Sequence, residues 1–167
     1  MNIPTTRYVG SKRKVVEWIW DNIKDMKFDN SLDAMGGTGI VGYYIKIHGK
    51  EVIFNDLLKH NYTTGMALIE NNNTTLSDND ISMILNKDKY TKYPTFIKDT
   101  FNDIYYTNDE NMWLDMVITN IRNKLDNKYK QAIAFHALFQ TCIVKRPFNL
   151  FHRKNLYIRM AKVKRSF

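Results

Sequence analysis

No aspartate or glutamate follows Asp126: the last 41 residues carry ten lysines and arginines and not one carboxylate. The first 126 residues hold 15 basic and 17 acidic side chains, a net of −2, so the overall charge of +8 comes from one end of the chain. A smaller basic cluster is Arg7, Lys12, Arg13 and Lys14. A solvated face explains such a skew as composition. Contact with a polyanion explains it as function, because each neutralised phosphate releases counterions. Other absences narrow the classes further. The single cysteine, Cys142, excludes an intramolecular disulfide, and its apolar surroundings suit a buried thiol. No run of about 18 apolar residues occurs, so no membrane span is expected. The charged N-terminus has no apolar stretch behind it and does not read as a secretion signal. These points favour a cytoplasmic protein. His48, His60, His136 and His152 lack metal-ligand spacing with one another or with Cys142, so no metal site is expected.

What remains is enough for one domain with a core: 167 residues, 44% of them apolar. Val16, Ile19, Ile23 and Met26 predict an amphipathic helix over 12–26, with Ser11 as its N-cap. Residues 30–35 read as a short strand, 39–48 as a mostly buried helix stopped by Gly49, and 51–55 as a second buried strand. Residues 57–70 are expected to be helical and Glu70–Thr75 an exposed polar loop. Over 76–110 the pattern is ambiguous, with a helix around Ile81–Leu85 and an extended piece at Pro94–Lys98. Two helices follow, at 111–125 and 128–144. The expected organisation is a ligand-binding part at 1–75, a mainly helical insertion at 76–144 and a basic segment at 145–167.

Glycine is scarce, yet four of the seven (Gly36, Gly37, Gly39, Gly42) fall within seven positions. They lie in Ser31-Leu-Asp-Ala-Met-Gly-Gly-Thr-Gly-Ile-Val41, between an expected strand and an expected helix. Such a turn lets a ligand approach backbone N–H groups at a helix N-terminus. The second strand closes on Asn55-Asp56, and Asp56 stands 17 residues after Gly39, placed to accept both hydroxyl hydrogens of a ribose. A tight turn in a domain without a nucleotide has the same glycines. Gly37, Gly39 and Gly42 also satisfy G-x-G-x-x-G, so they do not separate a nicotinamide dinucleotide from another adenosine cofactor.

The upstream segment Thr6-Arg-Tyr-Val-Gly-Ser-Lys-Arg-Lys14 makes that separation. With Leu32-Asp-Ala-Met-Gly-Gly-Thr-Gly39 and Asn55-Asp56, it resembles the Dam-like, α-group N6-adenine-specific DNA methyltransferases. FokI-type modification enzymes are nearest, and the segment Lys145-Arg-Pro-Phe-Asn-Leu-Phe-His-Arg-Lys-Asn-Leu156 shares in the likeness. The resemblance implies an α/β, Rossmann-like S-adenosylmethionine-dependent methyltransferase fold, present as a partial doubly wound sheet with an added helical and basic segment. It implies S-adenosyl-L-methionine as cofactor and double-stranded DNA as partner. Tyr8 takes the aromatic position packing near the cofactor. Gly10 and Ser11 form a tight turn, and Lys12 faces the methionine carboxylate. Asp33 suits the cofactor's ammonium group, Gly37 and Gly39 give close backbone approach, and Asp56 holds the ribose. Ala34-Met35 stands where the family has Pro-Phe. Each residue also has a plain structural reading: Tyr8 as core, Lys12 as a helix-start lysine, Asp33 and Asp56 as caps.

The family's adenine-handling loop, [Asp/Asn/Ser]-Pro-Pro-aromatic, is not in this sequence: Pro4, Pro94 and Pro147 each stand alone. The resemblance therefore implies the cofactor-binding N-terminal portion of a longer enzyme, or one subunit of a split one, acting with a complementing C-terminal polypeptide. Arg146, Arg153, Lys154 and Arg159 are the expected DNA contacts, and no catalytic residue is expected in this stretch. The competing readings are a non-catalytic DNA- or partner-binding subunit keeping a remnant nucleotide-binding fold, and a nicotinamide-dependent oxidoreductase.

Overall fold

The structure is a computed structural model of the chain and describes residues 10–102 and 104–145. Tyr8, Arg146, Arg153, Lys154 and Arg159 lie outside the described residues. Helix dominates, around a two-stranded parallel sheet. The 3-10 turn Lys12–Lys14 leads into α1 (Val16–Ile23), and β1 (Asn30–Asp33), α2 (Ile40–Ile47) and β2 (Glu51–Phe54) follow. The expected single helix over 12–26 is broken at Val15, whose φ of −121° and ψ of 3° are not helical. Ser11 precedes the turn, but its side chain makes no capping bond, contrary to expectation.

β1 and β2 pair in parallel, Leu32 beside Ile53 and Asp33 beside Phe54. Alternation puts Ser31, Asp33, Val52 and Phe54 on the covered face, and Leu32 and Ile53 on the other, where they are 63% and 56% exposed. α2 packs on the covered face, completing a parallel β–α–β unit. Gly39 starts α2 at a φ of 72°, a left-handed conformation that favours glycine. The Phe54 ring sits between two other glycines. A Cβ at Gly36 would stand 2.0 Å from its Cε2, and one at Gly65 would stand 2.2 Å from its Cδ1. Gly36 is thus needed for the approach of a side chain of this fold.

After β2 come α3 (Lys59–Gly65) and a π-helical turn, Met66–Glu70. Lys46 of α2 donates to the carbonyls of Leu68, Ile69 and Asn71 at 3.3, 2.6 and 2.5 Å, and so satisfies the open end of that turn. α4 (Asp78–Leu85) and α6 (Asn108–Lys124) both open with reciprocal capping boxes, Ser77 with Asp80 and Thr107 with Glu110. α5 (Phe96–Thr100) replaces the extended piece expected at Pro94–Lys98. The reason is tertiary: the buried carboxylate of Asp115, on α6, accepts from the Ile97 and Lys98 amides at 3.0 and 3.1 Å, capping α5 from another element.

The main core lies between α4, α6 and α7 (Lys128–Lys145), around Ile84, Leu114, Val117, Ile121 and Leu138. α7 also packs on α3 and the π-helical turn, where Thr64 Oγ1 lies 3.2 Å from His136 Nδ1. It thereby ties the helical part to the β–α–β unit. No helix among the described residues is long and apolar enough to cross a membrane.

The Phe54 contact predicts the effect of one added methyl. Gly65→Ala pushes a Cβ into the ring and should lower stability by about 1–3 kcal/mol, the usual result of overpacking. Chemical denaturation monitored by circular dichroism measures it, and an unchanged midpoint contradicts the contact.

Candidate functional site

A cavity of about 580 Å³ opens where the two strands end. That volume is in the range of pockets holding drug-sized ligands, roughly 300–1,000 Å³. Its wall includes Gly10, Ser11 and Lys12 from the first turn, Asp33 from the end of β1, Gly36 and Gly37 from the glycine turn, and Asp56 after β2. Six of the eight residues singled out from the sequence for a cofactor therefore share one cavity. Tyr8 is outside the described residues. Gly39 does not line the cavity; it is buried beneath it, within 3.6 Å of Ile69 for an added Cβ.

The strand ends are stitched together, which fixes the two acids. Asn55 N–H donates to the Asp33 carbonyl at 2.9 Å, and Gly36 N–H donates to the Asn55 carbonyl at 3.1 Å. The Asp33 carboxylate accepts from Gly42 N–H at 3.1 Å, in the first turn of α2. Gly39 precedes that turn and has no side chain, so Asp33 supplies the cap from the strand. The Asp56 carboxylate accepts from Gly37 N–H at 2.8 Å on one oxygen, and from Leu58 N–H at 2.8 Å and the Asn61 amide at 3.1 Å on the other.

The acids differ in charge preference. Burial pushes the Asp33 carboxyl up, the bond from Gly42 works against this, and the charge of Asp56 adds to the rise. Burial also pushes Asp56 up, but the bonds from Leu58, Gly37 and Asn61 outweigh it and leave Asp56 below its ordinary value. Two carboxylates facing one space favour a cation between them. Lys12, on the same wall, offers an ammonium to an anion; its Nζ lies 3.3 Å from the Gly10 carbonyl. The arrangement thus fits a ligand carrying both charges.

Apolar residues complete the wall. Ile19, Met35, Ile40, Val41, Leu57 and Leu58 line it. Met35 and Leu57 are 85% and 89% exposed, which leaves them available to a flat apolar ring. Sequence reasoning did not assign Ile19, Thr38, Ile40, Val41, Leu57 or Leu58 to the site. The signal for the leucines is present: two apolar residues directly after the strand-end acid, before α3 begins at Lys59.

The two acids respond oppositely to pH. Asp33, with a raised folded pKa, stabilises the fold most when protonated, and that contribution is lost as pH rises through the raised value. Asp56, with a lowered folded pKa, contributes fully above the ordinary carboxylate range and loses that contribution as pH falls through the lowered value. Asp33→Asn keeps an acceptor for Gly42 and removes the charge. It should melt higher than the natural protein at neutral pH, with the gap closing toward about pH 4. Asp56→Asn should melt lower at neutral pH, with a deficit that shrinks on acidification. Thermal denaturation across that range reads both signs; an Asp33→Asn protein melting below the natural one at neutral pH contradicts this assignment.

Comparison with known proteins bears on the same residues. Residues 8–166 match the D12 class N6 adenine-specific DNA methyltransferase family. The chain is 32% identical over 148 residues to the Type II methyltransferase M2.HphI of Haemophilus parahaemolyticus. That alignment covers 89% of this chain and 43% of the relative, so the chain spans less than half the length of the curated protein it matches. No solved structure matches. With the family match running over nearly the whole sequence, the chain belongs to the D12 class N6 adenine-specific DNA methyltransferases.

Proposed function

We propose that this chain binds S-adenosyl-L-methionine in the strand-end cavity and serves transfer of its methyl group to N6 of adenine in double-stranded DNA. The observation that carries the proposal is the convergence of Asp33, Asp56 and Lys12 on one cavity in a chain of this family. In this reading Lys12 takes the carboxylate of the amino-acid end, with Gly10 and Ser11 shaping the turn beneath it. Asp33 takes the ammonium, and Gly37 brings the backbone close. Gly39 acts indirectly, by starting α2. Tyr8 packs beside the cofactor from the segment before Gly10. The cofactor supplies an electrophilic methyl group; this chain's residues bind and orient it.

Asp56 holds the ribose, with one refinement. A carboxylate has about four acceptor positions. Gly37, Leu58 and Asn61 already donate to it, so it takes at most one ribose hydroxyl without displacing a protein donor.

The proposal assigns the adenine to a complementing polypeptide segment. Two observations support that division. The 167 residues contain no Pro-Pro pair. Leu32 and Ile53 form an exposed apolar pair on a sheet face that no element among the described residues covers, and parallel strands are rarely left open on one side. A doubly wound, Rossmann-like sheet completed by further strands and helices covers that face. Arg146, Arg153, Lys154 and Arg159 contact DNA phosphates in this reading, which gives salt-dependent affinity without sequence choice.

Calorimetry with S-adenosylhomocysteine and with a nicotinamide dinucleotide tests the cofactor. S-adenosylhomocysteine should bind, and Asp56→Ala should weaken it by roughly 1–3 kcal/mol through the lost hydrogen bond to a charged group. Binding of the dinucleotide alone contradicts the proposal. For the division of labour, the 167-residue protein with labelled cofactor and DNA should transfer no label, and transfer by this protein alone overturns it.

A further inference from the structure

The cations of the described residues are not equivalent. Lys128, Lys130 and Lys145 belong to the carboxylate-free end, yet each is held by an acid from another element. Glu70 meets Lys128 at 2.8 Å, Asp80 meets Lys130 at 2.8 Å, and Glu110 meets Lys145 at 2.7 Å. The last pair is nearly enclosed, with side chains 8% and 18% exposed. The acids missing from this part of the sequence are supplied by the fold, so α7 is not the cationic surface its composition suggests.

The turn Lys12–Lys14 is the opposite case. All three residues are exposed, and among the described residues none of them pairs with a carboxylate. The first 20 residues contain one acid, Glu17. A 3-10 turn has three residues per turn, so successive side chains point about 120° apart. Lys12 lines the cavity wall, while Arg13 and Lys14, next to it on the turn, are exposed and do not line it. The turn packs on both α1 and α2, so these cations ride on a supported element. Four residues beyond Lys14, on α1, Trp18 is 67% exposed.

We propose that Arg13 and Lys14 form a phosphate clamp that seats the backbone of double-stranded DNA at the rim of the cofactor cavity, with the Trp18 indole against the adjoining sugars. The inference rests on the proposed action on DNA and adds a surface to it. Phosphate contacts set position and not sequence. A clamp beside the cavity wall brings the duplex to where the methyl donor is held, while the Lys12 charge stays with the donor.

Fluorescence anisotropy of a labelled duplex oligonucleotide with the full 167-residue protein, over about 50–200 mM salt, tests this. The double variant Arg13→Ala/Lys14→Ala should bind roughly tenfold more weakly at the low-salt end. The slope of log affinity against log salt should be shallower by about 2, one unit for each lost phosphate contact. Arg13→Lys/Lys14→Arg should keep the natural slope. S-adenosylhomocysteine binding by calorimetry should be the same in all three proteins. An unchanged affinity and slope in the alanine variant, or no duplex binding by the natural protein at low salt, overturns the clamp. Failure of every protein to bind S-adenosylhomocysteine, with the salt-slope difference intact, overturns the cofactor reading and leaves the clamp standing.

Discussion

The ring of Phe54 is the constraint on which the site depends. It ends β2 and fills the space between the glycine turn and α3, touching where a side chain on Gly36 or Gly65 would stand. The strand end, the turn and the following helix are therefore set by one aromatic group. From that position the chain continues directly to Asn55, which bonds back to the end of β1, and to Asp56, which gathers three donors. Packing behind the strand ends and polar contacts at them set the geometry of the cavity together.

Much of this was legible in the sequence, for identifiable reasons. The β–α–β unit announced itself through its period and its glycines, because the helix over Ile40–Ile47 and the short apolar strands leave few alternatives. The acids at both strand ends were legible for the same reason. Gly36 was read as part of a ligand turn, but no local pattern reveals that a ring 18 residues later requires it. α5 was read as extended because its cap is Asp115, which is remote in sequence and near only in the fold. The starts of α4 and α6 carry local signals, Ser77 with Asp80 and Thr107 with Glu110, and the second sets the start of α6 at Asn108 rather than at 111. The break at Val15 has no such marker: Val16, Ile19 and Ile23 define only the helix that follows it, and Lys12–Lys14 carries no apolar residue to show where that helix starts.

Charge was the least faithful guide. A segment without carboxylates looks like a continuous cationic surface, but sequence neighbours are not spatial neighbours. Glu70, Asp80 and Glu110 come from three different elements and meet the three lysines of α7 one by one. The same arrangement explains how a helix with little amphipathic pattern is held on both sides: apolar contact faces α6, and ion pairs reach the π-helical turn and the starts of α4 and α6. A run of three cations near the N-terminus, much smaller in composition, keeps its charge exposed.

Asp33 does two things with one carboxylate. It caps the first turn of α2 through Gly42 and it faces the cavity. In the proposed reading, an ammonium drawn to this carboxylate competes with the Gly42 amide for its electron density, which couples the cavity to the start of α2. The amide protons of that first turn are thus an internal gauge of occupancy, readable by hydrogen exchange without a label on the ligand.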